Sequence, residues 1–174
     1  MINRKDDDVV IDEPTIAEGV SLVAGMLNQT YKDALIISVV PGGIFFTADL
    51  TRQLNFPIEM DYISCPHTPG EKNNTSEIVF HNNVGVEGRN IIIIDDAIES
   101  GGTMKRIVQY LSDEYNPLSI SVATLFVKPG RVSIPVKCYY AIEMDNDDFL
   151  MGYGLPWEHK SRNLPFVCKV NTSG

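Results

Sequence analysis

The stretch Asn90-Ile-Ile-Ile-Ile-Asp-Asp-Ala-Ile-Glu-Ser-Gly-Gly-Thr103 decides the fold. The aliphatic run Ile91 to Ile94 has no polar alternation, so it predicts a strand buried on both faces, as in a parallel sheet. Asp95 and Asp96 follow at its carboxyl end, where open α/β sheets place their ligands. The turn Glu99-Ser100-Gly101-Gly102-Thr103 then enters a helical pattern with Met104, Ile107, Val108 and Leu111 on one face. Small residues at a helix start leave backbone N–H groups open to an anion, which the helix dipole favours. Paired acids beside a phosphate cradle suit a phosphorylated sugar. The spacing fits neither a Walker loop nor a GxGxxG dinucleotide turn.

Outward from this segment, α and β patterns alternate without an internal repeat. Pro14 and the box Thr15-Ile-Ala-Glu18 predict a helix start capped by Thr15, with Ile16, Val20, Val23 and Leu27 on the apolar face. Ala34 to Val40 predicts a strand. Pro41-Gly42-Gly43 is then a tight turn into a helix carrying Phe45, Ala48, Asp49, Arg52 and Gln53. Ile58 to Ser64, Leu118 to Val127 and Val136 to Glu143 predict further strands. Pro66 to Ser76 is polar, with nothing to bury, and is expected to be a mobile lid near the site. The tail from Phe149 to Val170 is aromatic-rich and interrupted by proline. The alternation predicts an α/β fold: a parallel twisted sheet with helices on both faces.

Composition sets the outer limits. The chain has 174 residues, enough for one domain with a sizeable core. A net charge of −9 without a Lys/Arg cluster argues against nucleic acid and anionic membranes as partners. The acidic runs Asp6 to Asp8 and Asp145 to Asp148 predict solvated turns and no site. Cys65, Cys138 and Cys168 lack metal-ligand spacing and predict buried free thiols in a reducing compartment. His67, His81 and His159 form no pair and predict surface positions. Met1 opens into a charged segment with no leader pattern, and no apolar run approaches a membrane span, so the expected location is cytoplasmic.

The Asn90 to Thr103 segment resembles the phosphoribosyl-pyrophosphate signature of the type I phosphoribosyltransferases. Four further stretches sharpen this to the hypoxanthine-guanine branch. Val39-Val-Pro-Gly-Gly-Ile-Phe-Phe-Thr-Ala-Asp-Leu50 is similar to that branch's pyrophosphate loop and following helix. Phe126-Val-Lys128 resembles its purine-contact segment, Phe149-Leu-Met-Gly-Tyr-Gly-Leu155 its purine-stacking hood, and Arg162-Asn-Leu-Pro165 its C-terminal arginine segment. The likeness runs in order from about Asp33 to Val170. It implies one domain over residues 1–174, with a core over about 30–130 and a hood from about 1–15 and 138–174. It also implies phosphoribosyl transfer from phosphoribosyl pyrophosphate to hypoxanthine or guanine, Mg²⁺ as cofactor, and a homodimer or homotetramer.

Carried over residue by residue, the resemblance implies Glu99 as general base near purine N7. Asp95 and Asp96 would hold the ribose hydroxyls and the metal, and Ser100, Gly101, Gly102 and Thr103 the 5′-phosphate. Pro41, Gly42, Gly43 and Arg162 would meet pyrophosphate. Lys128 would donate to the 6-oxo oxygen, Phe149 would stack on the base, and Leu150 and Pro156 would offer backbone groups to its edge. Taken on local sequence alone, Lys128 looks like a surface residue and Phe149 like core packing.

Five departures from the branch leave alternatives open. Pro41 stands where the loop carries Lys or Arg, Pro156 where the hood carries Asp, Glu99 where the base is Asp, and Gly102 where a larger residue is common; the mobile loop also lacks a Ser-Tyr pair. A nucleotide-binding or regulatory protein with weak turnover, or a xanthine-preferring transferase, stays possible. The branch's loop often has a cis peptide at the position of Val40-Pro41. The trans preference before proline is only about 0.5–1 kcal/mol, so a cis bond is expected here.

Overall fold

The computed structural model describes residues 8–65, 76–128, 133–146 and 148–170. The expected lid is therefore outside the described residues apart from Ser76, as are His67 and part of each acidic run.

Six strands form the main sheet in the order β4-β3-β2-β5-β6-β7. They are β2 (Ala34–Val40), β3 (Ile58–Ser64), β4 (Val79–Phe80), β5 (Asn90–Ile98), β6 (Ser119–Val127) and β7 (Lys137–Glu143). All neighbours are parallel except the short edge pair β3–β4. The chain moves from β2 outward to β3, then returns to the other side of β2 for β5, β6 and β7. The direction of winding thus reverses between β2 and β5, which opens a crevice at their carboxyl ends.

Burial explains the helix placement. In β5 the side chains of Ile92 and Ile94 join one core layer, and Ile91 and Ile93 join the other. All four are fully buried, each contributing about 1.5–3 kcal/mol of transfer free energy. The first layer is covered by α1 (Glu13–Thr30), through Ile16, Val20, Val23 and Leu27, and by α2 (Ile44–Thr51), through Phe46 and Leu50. The second layer is covered by α3 (Gly102–Glu114), through the predicted quartet Met104, Ile107, Val108 and Leu111.

Three local expectations change. Asp12, and not Thr15, caps α1: its carboxylate accepts from the Thr15 N–H at 2.9 Å, the usual bond between an N-cap and the third helical residue. Pro14 fits just after that cap, where its missing N–H costs nothing. The second helix ends at Thr51, two residues short of its pattern, so Arg52 caps it and Gln53 lies beyond. β5 continues through both acids to Ile98, because Asp95, Ala97 and Ile98 keep pairing with β6.

A small antiparallel sheet of β1 (Val9–Ile11), β9 (Val167–Lys169) and β8 (Leu150–Met151) forms the hood over the carboxyl end of the main sheet. The hood boundary moves accordingly. Residues 138–143 were expected in the hood but form the outer strand β7, in parallel register with β6 from Ser121↔Lys137 to Val127↔Glu143.

Candidate active site

Two loops meet at the crevice. The first leaves β2 through a cis Val40-Pro41 bond, as expected, and turns at Gly42 and Gly43 into α2. The second is the run of Asp95 and Asp96 on β5. Glycine is required where they touch. A Cβ on Gly43 would lie 2.8 Å from the carbonyl oxygens of Val39 and Ile94, and one on Gly42 would lie 2.9 Å from Asp96 Oδ2.

The acids are held in place by the backbone. The Asp96 N–H donates to Asp95 Oδ1 at 2.9 Å, and the Ala97 N–H donates to Asp96 Oδ1 at 2.8 Å. Asp96 is buried; Asp95 keeps an open side but is enclosed elsewhere. Burial, and then the neighbouring Asp96 charge, hold Asp95 well above the usual carboxylate range. Burial raises Asp96 too, opposed by its hydrogen bonds and by the Arg162 charge. Two crowded carboxylates with hard oxygen donors fit a divalent cation, which would relieve their repulsion. Among the described residues no group of three or more His, Cys, Asp and Glu side chains converges. Mg²⁺ commonly uses one or two carboxylates and takes its other oxygens from substrate phosphates and water.

The turn from Ser100 to Thr103 leads into α3. Gly101 is left-handed (φ 79°) at the cap of α3, and Ser100 Oγ accepts from the Gly102 N–H at 3.3 Å. A Cβ on Gly102 would meet only Ser100 Oγ, at 3.6 Å. Thr103 lies in the first turn of α3.

Lys128 is buried, against its surface-residue expectation. Its Nζ donates to the Asp148 carbonyl at 2.8 Å and lies 3.2 Å from Glu99 Oε2. A buried ammonium needs such partners, and Glu99 keeps nearly half of its side-chain surface exposed. Phe149 is 59% exposed, so it is not core. Leu150 is buried in β8, while Pro156 is half-buried beside Trp157.

Hood and crevice are joined by the turn Gly152-Tyr153-Gly154-Leu155. Arg162 Nη1 donates to the Gly154 carbonyl at 2.6 Å, and the Gly154 N–H donates back to the Arg162 carbonyl at 2.9 Å. Gly154 has φ +107°, and a Cβ there would lie 2.2 Å from the Gly42 carbonyl oxygen and 2.9 Å from Asp96 Oδ2. The hood turn therefore sits directly on the loop after β2 and on one acid. Tyr153 anchors it by donating its hydroxyl to Asp49 Oδ2 of α2 at 2.7 Å. Burial, and then that bond, raise its pKa.

The structure thus gathers Gly42, Gly43, Asp95, Asp96 and Arg162 at one end of the crevice, and brings Glu99, Lys128 and Phe149 together through Asp148. Sequence reasoning missed Asp148, Tyr153, Gly154 and Trp157. Only the paired glycines around Tyr153 hinted at a special turn. His81 and His159 are exposed, and Cys65, Cys138 and Cys168 form no disulfide among the described residues. Cys138 is half-buried, with burial pushing its thiol up to about 11.

Comparison with known proteins places the chain among relatives of one kind. The family model for the phosphoribosyl transferase domain matches residues 8–158. A hypoxanthine-guanine phosphoribosyltransferase of Staphylococcus epidermidis is 28% identical over 165 residues, covering 92% of this chain and 91% of that protein. A hypoxanthine-guanine-xanthine phosphoribosyltransferase of Tritrichomonas foetus is 30% identical, covering 91% and 88%. Among solved structures, a hypoxanthine-guanine phosphoribosyltransferase of Bacillus anthracis superposes with a TM-score of 0.83 at 28% identity, over 94% of this chain and 98% of that one.

Proposed function

The chain belongs to the phosphoribosyl transferase domain family, and on that premise we propose that it is a purine salvage enzyme. It moves the phosphoribosyl group from phosphoribosyl pyrophosphate to hypoxanthine or guanine, giving IMP or GMP and pyrophosphate. Relatives named for these activities match nearly the whole chain.

The observation that carries the base assignment is the pair Lys128–Glu99 at 3.2 Å, beside an exposed phenylalanine. In a 6-oxopurine, the oxo oxygen and N7 share one edge. A buried ammonium presents a donor to the first and the adjacent carboxylate an acceptor to a proton on the second. Phe149 offers the stacking face.

In the transfer, the bond from ribose carbon 1 to pyrophosphate breaks as a purine nitrogen bonds to that carbon, and Glu99 takes the proton the purine loses. The ribose develops positive charge, and preorganised carboxylates at Asp95 and Asp96 stabilise it. Gly101 to Thr103 orient the 5′-phosphate at the start of α3. Arg162, with the N–H of Gly42, meets pyrophosphate in a loop whose own position 41 carries no cation and whose Gly43 N–H is already donated to the Val39 carbonyl at 2.8 Å. Bound Mg²⁺, held by Asp95 and Asp96, would supply charge neutralisation of the leaving group.

We place the protein in the cytoplasm as a homodimer or homotetramer. A groove lined by Ile44, Met60 and Tyr62, all well exposed, supports self-association. No helix among the described residues is long and apolar enough to cross a membrane.

The test is an assay with phosphoribosyl pyrophosphate, Mg²⁺ and each of hypoxanthine, guanine and xanthine. Production of IMP or GMP is expected. No turnover with any of the three, together with tight phosphoribosyl-pyrophosphate binding by calorimetry, would replace the enzyme with a nucleotide-binding protein on the same fold.

A further inference from the structure

We propose that Trp157 is a positioning residue of the purine site, holding the Phe149 ring with one face free for the base. The inference rests on the reading of Phe149 given above.

Phe149 is well fixed along its backbone. The preceding carbonyl, of Asp148, accepts from Lys128 Nζ, and its own carbonyl accepts from the Val170 N–H at 2.8 Å. Its ring, however, stands out of the core. An exposed phenylalanine ring samples several rotamers, and a ligand that stacks on it must first stop that motion. Trp157 removes the need. The two ring centroids are 6.4 Å apart with planes at 54°, a tilted arrangement within the range of favourable aromatic pairs.

Trp157 is itself braced. It opens a two-residue hairpin turn in which Glu158 and His159 are both left-handed, at φ 46° and 64°. The turn closes through Trp157 N–H to Lys160 O at 3.0 Å and Lys160 N–H to Trp157 O at 2.8 Å. Such a turn is a stiff mount. The planes are too strongly tilted for a base to slot between the rings. A purine therefore stacks on the free face of Phe149, and Trp157 acts through Phe149 by keeping that face presented.

Trp157 is also the single tryptophan of the chain, so its fluorescence reports this corner alone. Titration of the native protein with GMP or IMP is expected to change the emission saturably, and Phe149→Leu to reduce that change. Trp157→Ala is expected to raise the purine KM by about three- to tenfold, the range set by losing one aromatic pair. The KM for phosphoribosyl pyrophosphate and kcat should stay within about twofold of the native values, and Trp157→Phe should restore the purine KM. An emission blind to saturating nucleotide, an unchanged purine KM in Trp157→Ala, or a parallel fall of every kinetic constant would overturn the assignment. If Trp157→Ala does not fold, the native titration and Trp157→Phe decide it. Failure of the underlying function is distinguishable, because the native protein would then turn over none of the three purines, whatever its emission does on adding IMP or GMP.

Discussion

The end of the crevice proposed to hold the sugar phosphate and the end proposed to hold the purine are built in opposite ways. At the first, one strand end, one turn and one helix start supply the carboxylates and the N–H groups, through Asp95, Asp96 and Ser100 to Thr103. At the second, the contacts join distant parts of the chain, Lys128 with Glu99 and Asp148 and Phe149 with Val170, while Tyr153 with Asp49 and Gly154 with Gly42 and Asp96 seat the hood on the first end. A site that must grip a constant sugar phosphate can be local, because a helix start and a strand end already supply N–H groups and carboxylates. A site that must select a base is assembled from a hood laid over that frame.

The contrast predicts where damage falls. The largest effect is expected where the two ends meet in the chemistry. Glu99→Gln should lower kcat by about a hundredfold or more while leaving phosphoribosyl-pyrophosphate affinity nearly unchanged, and Glu99→Asp should stay active. Pre-steady-state rates with calorimetric affinities check this, and an unaltered rate for Glu99→Gln would remove Glu99 from the role.

Next comes Gly154→Ala against Gly102→Ala. At Gly154 a Cβ would strike the Gly42 carbonyl in a left-handed backbone, so a loss of about 1–3 kcal/mol is expected. At Gly102 it would touch only Ser100 Oγ, so the change should stay within about 0.5 kcal/mol. Urea titrations of the two variants measure the difference; equal costs would mean the hood turn is not seated as described.

A smaller effect, of opposite sign, is expected at Asp95. Its pKa is raised in the folded state, so folding favours the protonated form, and the native protein loses stability as pH rises from about 3.8 through the raised value. Asp95→Asn cannot ionise. It should therefore be more stable than the native chain at pH 7, with the difference vanishing below about pH 3.8. The open side of Asp95 keeps the gain near 1 kcal/mol, about 2–4 °C in Tm for a chain this size. A variant less stable at pH 7 would contradict this. The smallest effect is expected at exposed Pro41: Pro41→Lys should tighten pyrophosphate binding by about 0.5–1 kcal/mol. Unchanged affinity by calorimetry would show that the absent cation does not matter.

Legibility in the sequence follows the same division. β2 and β3 have the predicted limits because their apolar runs are bounded by turn residues. The helix-face residues of α3 are all buried because their spacing is purely local. The Asp12 cap escaped because Thr15 and Glu18 form a plausible box, and only the position of Pro14 in three dimensions decides between them. β5 was expected to end at the acids because they break its apolar run, but it continues because backbone pairing is indifferent to whether a side chain is charged. Nothing local marks Tyr153 as an anchor: its partner Asp49 is 104 residues away and on another layer. Lys128 looked like a surface lysine because its burial depends on a carbonyl twenty residues on, within a run of acids that resembles an ordinary solvated turn.

The division of labour itself is tested most directly by steady-state kinetics of Asp96→Asn and Lys128→Met, with both substrates varied. Asp96→Asn should raise the KM for phosphoribosyl pyrophosphate with little effect on the purine, and Lys128→Met should do the reverse. If each variant raised both constants in equal measure, the crevice would not have separate sugar-phosphate and purine ends.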